Sequence, residues 1–217
     1  MWLTLAFFTL MGYVHAIDNV TQCPNNCTCQ PSSFGSQMTI DCNQGLPAID
    51  EKKLHHQLDS MLSTDYFVEH LTSLSITNTP LTCVPASVCK LLNLTSLNLN
   101  YNKFTELPDN CFTQLTKLVT LSAAYNAITR LQDGQFDGLQ SLVNLDLSYN
   151  QIAFIGLRVF SNSSDLTSVH FVDLGYNKLT SLEPWWYYRC ILGNHTSRVT
   201  IIFRGNLISN FTNNLQF

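Results

Sequence analysis

An eleven-residue pattern recurs six times, and its spacing fits neither a helix nor a simple strand. Residues 142–152, LVNLDLSYNQI, show it most clearly, with apolar side chains at Leu142, Leu145, Leu147 and Ile152 and a polar Asn150 among them. The six windows start at Leu71, Leu94, Leu118, Leu142, Val169 and Arg198. Five of them place asparagine ninth: Asn102, Asn126, Asn150, Asn177 and Asn206. The first window has Thr79 there. A period of this length predicts a fold built from stacked units.

This pattern resembles the L-x-x-L-x-L-x-x-N-x-L signature of leucine-rich repeats, over roughly residues 23–217. The second half of the repeat, after the window, agrees with the extracellular 24-residue class, through the pairs Leu107 and Phe112, Leu131 and Phe136, and Ile155 and Phe160. The resemblance implies an α/β fold, a right-handed solenoid or horseshoe with one parallel β-strand per repeat on its concave face.

Stacking explains both the apolar positions and the asparagine. A single repeat cannot bury its apolar side chains alone, so neighbouring repeats must cover one another. The asparagine side chain is expected to hydrogen-bond backbone groups of its own coil and the next one, since buried groups without partners cost about 1–3 kcal/mol each. A row of ligand-binding asparagines is the less favoured alternative, because the column points inward.

The first 70 residues divide into three expected segments. Residues 1–16, MWLTLAFFTLMGYVHA, are predicted to be a cleaved signal peptide. Residues 17–46 form a cysteine-rich N-terminal cap, and residues 47–70 a degenerate first repeat with Leu58, Leu62 and Phe67 as its core. The adjacent His55 and His56 are expected to be solvated and not to bind a metal. Residues 71–217 hold about six leucine-rich repeats.

The cysteines indicate an oxidising compartment. Eight follow the signal segment, and Cys23, Cys27, Cys29 and Cys42 have the spacing of N-terminal caps in secreted leucine-rich repeat proteins. That resemblance implies the pairs Cys23–Cys29 and Cys27–Cys42, although sequence alone allows three pairings. We do not assign the other four. Cys89 fits a buried core position or a pair with Cys83, and Cys111 and Cys190 have no evident partner.

Six N-x-[ST] sequons agree with secretion. They lie at Asn19, Asn26, Asn93, Asn162, Asn194 and Asn210, and together they predict a glycosylated surface. No apolar run of about 20 residues follows the signal segment, so no membrane span is expected in this sequence. The cysteine-rich C-terminal cap of related proteins is missing and the sixth repeat is truncated. We therefore favour a fragment of a longer ectodomain over a chain with a non-standard cap.

Composition argues against several functional classes. The net charge is −4 and there is no basic block, so neither nucleic acid nor an anionic membrane is indicated as a partner. No nucleophile, zinc-binding or phosphate-binding motif occurs. We therefore expect no enzyme activity, no cofactor and no metal.

Repeat geometry nominates a candidate surface instead. Positions two, three, five, seven and eight of each window should face outward, and equivalent positions should lie about 4.8 Å apart. Position eight gives four consecutive tyrosines: Tyr101, Tyr125, Tyr149 and Tyr176. Tyrosine is a good anchor for protein partners, although these rings could simply cover the turn.

Position five places two acidic residues side by side. Asp146 and Asp173 should be neighbours, with His170 and Phe171 beside them. Their repulsion would be relieved by a cationic partner group, or simply screened by solvent. We predict a ligand-binding surface comprising the four tyrosines, both aspartates and His170.

The fifth repeat contains an aromatic cluster, LEPWWYYR at residues 182–189, which either packs on the convex side or forms a patch. Together with NLISNFTN at 206–213, it is similar to segments of invertebrate Toll-like receptor ectodomains. That resemblance implies a secreted protein, or the extracellular face of a plasma-membrane receptor, that recognises protein or microbial glycan or lipid ligands and dimerises. Cell-adhesion or guidance receptors and structural matrix proteins of the small proteoglycan type are the alternatives.

Overall fold

In a computed structural model, residues 23–24, 27–31, 37–41, 50–159, 168–181 and 199–209 are described. Within them, one eight-stranded sheet runs along the stack in the order β1-β2-β3-β4-β5-β7-β9-β10. Its strands are β1 (Thr28–Pro31), β2 (Gln37–Asp41), β3 (Ser73–Thr77), β4 (Ser96–Asn98), β5 (Thr120–Ser122), β7 (Asn144–Asp146), β9 (Phe171–Asp173) and β10 (Thr200–Ile202). β1 is antiparallel to β2, and the other pairs are parallel. The leucine-rich repeat fold predicted from the recurring window is confirmed.

Return segments connect the strands. Two helices, α1 (Glu51–Leu62) and α2 (Asp65–His70), lead from β2 to β3. Later returns contain the 3-10 helices Ala86–Lys90 and Phe112–Gln114, and a small parallel sheet of β6 (Arg130–Leu131) and β8 (Phe154–Ile155).

The core is one continuous column, as expected for units that must cover one another. Leu74 pairs in register with Leu97, which pairs with Leu121 and then Leu145. Each is fully buried, as are the return-segment residues Phe112 and Phe136. Since each repeat loses its apolar contacts without its neighbours, the stack stabilises itself repeat by repeat.

The asparagine column pairs backbone groups, but with the preceding coil and not the next one. Asn150 Nδ2 lies 3.1 Å from Leu147 O in its own turn and 2.9 Å from Ala123 O one repeat earlier. Asn150 Oδ1 accepts a hydrogen bond from Ile128 N at 3.0 Å. The expected direction was therefore wrong, because the sixth-position carbonyl and the eleventh-position amide of each repeat both face the repeat that follows. Asn126 and Asn177 make the same pair of backward contacts.

The N-terminal unit begins earlier than the degenerate pattern suggests. The strand that pairs with β3 is β2, at residues 37–41. Residues 51–70 are its helical return, started by Asp50, whose side chain accepts from Lys53 N at 3.1 Å. The expected core residues Leu58, Leu62 and Phe67 are buried.

The described disulfides show how some of the cysteines are paired. Cys23 is bonded to Cys29 as the resemblance implied, and Cys27 is also disulfide-bonded. Cys89 is bonded to Cys111, and Cys83 is free and exposed. Cys89 is thus neither a core residue nor the partner of Cys83. The first full repeat is one residue short, so Val88 takes the buried position and Cys89 turns toward the next repeat.

Several sequence predictions fall outside the described residues. These are the signal segment, Cys42, Cys190, Phe160, the aromatic cluster at 182–189, and the sequons Asn19, Asn26, Asn162, Asn194 and Asn210. Among the helices that the structure describes, none combines the length and apolarity needed to cross a bilayer.

Candidate functional site

The four tyrosines at position eight form a stack of nearly parallel rings, which we call the tyrosine ladder (Tyr101, Tyr125, Tyr149 and Tyr176). Ring centroids are separated by 4.5 Å between Tyr101 and Tyr125, and by 4.3 Å at the two following steps. Interplanar angles are 8° to 13°. The ladder lies where the strands end, and each ring remains 38% to 51% exposed. The rings cover one another's faces and present their edges to solvent.

The ladder depends on an uncommon backbone conformation. All four tyrosines have positive φ, between 53° and 58°. The same position is occupied by Asn78 at φ 55° and by Gly205 at φ 74°. Asparagine and glycine tolerate this left-handed region, whereas for other residues it costs on the order of 1–2 kcal/mol. Four tyrosines in succession therefore need compensation, and mutual stacking of the rings supplies part of it.

The hydroxyl groups along the ladder interact. Loss of solvent within the stack, followed by hydrogen bonds with Tyr125 and Tyr176, raises the pKa of Tyr149 to about 12. Ionising the central phenol would remove a donor from this hydroxyl row. Tyr149 therefore keeps its proton at any physiological pH and remains a hydrogen-bonding group within the ladder.

The two predicted aspartates are direct neighbours, and each also holds its own turn. Asp146 pairs in register with Asp173. Asp146 Oδ1 accepts from Ser148 N at 3.0 Å, and Asp173 Oδ1 accepts from Gly175 N at 2.7 Å. These hydrogen bonds hold the residues immediately before Tyr149 and Tyr176 in place. Position five therefore shapes the turn that presents the ladder, a role that the sequence pattern did not reveal.

The second oxygens of these carboxylates remain available. Asp146 Oδ2 has a distant contact with Ser122 Oγ at 3.5 Å. Within the described ranges, no lysine, arginine or histidine side chain lies within ion-pair distance of either aspartate. The contact of this kind found there joins His55 Nδ1 and Asp59 Oδ2, at 3.3 Å. Two in-register carboxylates thus face outward without a counter-charge from the described part of the chain.

His170 lies apart from the ladder. It is exposed at the start of β9, with Nδ1 2.6 Å from Ser168 O, whereas Tyr176 follows the end of that strand. Phe171 is half-buried beside Asn144. The structure thus brings Tyr149, Tyr176 and the aspartates together at one edge of the sheet and places His170 at the other.

Arg204 was not among the predicted site residues. Its guanidinium carbon lies 5.7 Å from the centre of the Tyr176 ring, which makes a cation–π contact at the end of the ladder. The sequence signal that could have indicated Arg204 lies in the sixth window. There RGN stands where the fourth and fifth windows have SYN and GYN.

The opposite edge of the sheet carries the one sequon that the structure describes. Asn93 precedes its strand, Nδ2 donates to Glu69 O at 2.8 Å, and Oδ1 accepts from Lys117 Nζ at 2.7 Å. A glycosylated amide keeps one N–H, which is enough for the bond to Glu69. A glycan there would project from the edge opposite the ladder.

The described residues contain no cluster of three or more histidine, cysteine, aspartate or glutamate side chains able to hold a metal ion. What this surface offers is phenol edges, hydroxyls, amides and two carboxylates. Those groups suit noncovalent recognition.

Comparisons with known proteins agree with this architecture. Two segments, 69–128 and 124–179, match the leucine rich repeat family model and together span just over half of the chain. No curated protein sequence matches it. Among solved structures, the TLR13–ssRNA13 complex is similar, with a TM-score of 0.62 and 21% identity over 85% of this chain and 23% of that one.

A leucine-rich repeat protein of Leptospira interrogans is similar as well, with a TM-score of 0.57 and 20% identity over 88% of this chain and 46% of that one. The chain thus spans about a quarter and about half of the lengths of these two proteins. At such identities the likeness shows the fold alone. Together with the family match, it shows that this chain belongs to the leucine-rich repeat family.

Proposed function

We propose that the chain is an extracellular recognition module that binds a protein or microbial ligand noncovalently, as the N-terminal part of a Toll-like receptor ectodomain or a secreted relative. The observation that carries this proposal is the tyrosine ladder, four exposed tyrosines held in a strained backbone conformation beside two aspartates that form no ion pair with the described residues. Strained residues that the surrounding fold over-determines cluster at binding sites. Exposed tyrosines supply rigid contact area at a low entropy cost.

The likeness to TLR13, which was solved with single-stranded RNA, raises nucleic acid as a second ligand class. The ladder does not favour it. Rings at 4.3 Å to 4.5 Å leave no gap for a base between rungs. The net charge of −4 supplies no surplus of cations for phosphates. A protein or a neutral microbial ligand fits the surface better.

The proposal is tested with the chain secreted from eukaryotic cells and screened on arrays of extracellular proteins, microbial glycans and lipids. A ligand counts as specific when its binding depends on the surface defined above. The absence of a specific ligand from every array class would argue for the structural matrix alternative.

Asparagine substitutions separate the charge of the aspartates from their turn-forming role. In the double variant Asp146→Asn, Asp173→Asn, the amide oxygens still accept from Ser148 N and Gly175 N. We expect the stability to change by about 0.5 kcal/mol or less. Affinity for a ligand with a cationic group should fall at least tenfold, measured by surface plasmon resonance.

Serine replacements provide the matched comparison. Asp146→Ser, Asp173→Ser removes the charge and shortens the acceptor as well, so both affinity and thermal stability should fall. If the asparagine variant binds as tightly as the native chain, the carboxylates are turn-forming groups only.

Engineered glycans test the edge that carries the ladder. Lys103→Asn and Lys178→Asn each complete a sequon with the threonine two residues later, at exposed sites two positions after Tyr101 and Tyr176. A glycan at either site should lower ligand binding by an order of magnitude or more, because it covers the rim sterically.

Two controls make this result specific. The variant Lys178→Asn, Thr180→Ala keeps the asparagine and loses the glycan, so it should bind normally. Asn93→Gln removes the predicted glycan at the opposite edge and should leave binding unchanged. Undiminished binding with both rim glycans attached, verified by glycosidase mobility shifts, would place the ligand elsewhere.

A further inference from the structure

The tyrosine ladder has two ends, and they differ. At the C-terminal end, Arg204 lies over the ring of Tyr176, with its guanidinium carbon 5.7 Å from the ring centre. The next rung is Gly205, where a Cβ atom would come within 2.6 Å of Tyr176 Cδ1. The outer face of Tyr176 is therefore covered by a backbone and a cation of the same chain.

At the N-terminal end, Tyr101 stacks on one neighbour alone. Its inner face meets Tyr125 at 4.5 Å, and the preceding rung is Asn78, which has no ring. Tyr101 is 51% exposed, against 38% for Tyr176. Within the described residues, its outer face is the ladder face that contacts neither a ring nor a cation.

The chemistry of that face favours a cation. The face of an aromatic ring carries negative electrostatic potential and its edge is positive. Guanidinium groups stack on such faces more often than ammonium groups, because they are planar and weakly hydrated. Arg204 on Tyr176 shows this contact at the other end of the same ladder.

We propose that the outer face of Tyr101 binds the guanidinium group of an arginine side chain in a protein partner, as Arg204 covers Tyr176. This inference rests on the proposed function in one respect, namely that the ligand is a protein. The site would be one rigid anchor, separated from the repeats of the aspartate pair by one intervening rung, Tyr125.

Small probes test the site without a partner. The chain is prepared with ¹³C-labelled tyrosine rings, and the Tyr101 signal is assigned from its loss in Tyr101→Phe. N-acetylarginine amide should shift the Tyr101 signal in a saturable titration, at least threefold more than the Tyr149 signal. N-acetylcitrulline amide, which has the same shape without the charge, should give at least fivefold smaller shifts.

Substitutions at the preceding rung provide the blocking test. Asn78→Tyr adds a fifth ring at a backbone position that already has the required φ of 55°, and this ring should cover Tyr101. The arginine-dependent shift of Tyr101 should then fall at least fivefold. Asn78→Gly keeps the backbone conformation and adds no ring, so the shift should persist.

Three results would overturn the inference. These are equal shifts with citrulline, a larger Tyr101 shift with N-acetylphenylalanine amide, which would indicate an aromatic ligand, and a persistent shift in Asn78→Tyr. Because no partner is used, such a failure is distinguishable from failure of the proposed function, which would appear instead as ligand binding indifferent to the aspartate and rim-glycan variants.

Discussion

Replacing Asn150 with alanine should lower the free energy of unfolding by about 3 kcal/mol, one of the largest effects expected from a single substitution. Asn150 Oδ1 is the partner of the buried Ile128 N, at 3.0 Å, and alanine leaves that amide without one. The variant also loses the donors to Ala123 O and Leu147 O. Those two carbonyls keep bonds to Asn126 and Asn177, so most of the cost comes from the single orphaned amide. Urea denaturation followed by circular dichroism measures the loss.

Asn144→Ala is the matched control, because it removes the same side chain from the same repeat. Asn144 is exposed on β7, so its variant should stay within about 0.5 kcal/mol of the native chain. Equal stability of the two variants would mean that the asparagine column does not hold the coils together. The expected inequality would instead place Asn150 among the structural residues, with its contribution made to the preceding repeat.

Periodicity predicted stacked units, and the resemblance to leucine-rich repeats implied the fold. The positions of Leu142, Leu145 and Leu147 require one buried face, and a face of that shape is covered by identical neighbours. The direction of the asparagine bonds could not be predicted in the same way. The sequence of a repeat does not show toward which neighbouring coil its turn directs its backbone groups. In the structure, backbone groups without a partner in their own turn, such as Ala123 O and Ile128 N, face the following coil.

Strand β2 shows where the recurring window no longer predicts the structure. β2 has no recurring window, because its neighbour β1 is antiparallel and disulfide-bonded, so the usual leucines and asparagine are not needed. The degenerate first repeat was predicted at residues 47–70. The strand that pairs with β3 lies before it, at 37–41, and the helices of the return lie within 51–70.

The candidate site was predicted in part, for reasons that differ among its residues. The alignment of Tyr101 with the other three tyrosines follows from the repeat register alone. Their positive φ does not, because tyrosine rarely adopts that conformation, and the clue lay in Asn78 and Gly205 at the same position. The turn-forming hydrogen bonds of Asp146 and Asp173 depend on local backbone geometry. Neither interpretation of these aspartates, a cationic partner group or screening by solvent, predicted them.

The pair Cys89–Cys111 was also beyond the pattern. Cys89 aligns by count with the core phenylalanines, and only the missing residue in its repeat moves it out of the core. The bond joins the return segments of two consecutive repeats, on the side of the coils opposite the asparagine turns.

The double variant Cys89→Ala, Cys111→Ala should therefore lose about 3 kcal/mol of stability. The bond links residues separated by 22 positions, and closing a loop of that length lowers the entropy of the unfolded chain by a corresponding amount. Guanidinium denaturation of the oxidised proteins measures the difference, and the double replacement avoids leaving a reactive thiol behind.

Cys83→Ala separates this effect from the loss of a cysteine as such. Cys83 lies in the same repeat but is free and exposed, so its variant should unfold at nearly the native denaturant concentration. If the double variant matches Cys83→Ala, the asparagine turns alone set the stability of these repeats. If it falls by the expected amount, the first two full repeats are fastened on both sides. The Tyr101 end of the ladder then lies on coils that are covalently cross-linked, since Tyr101 lies between Cys89 and Cys111 in the chain. A rigid base of that kind is what an anchor residue requires, because little conformational entropy is left to lose when a partner binds.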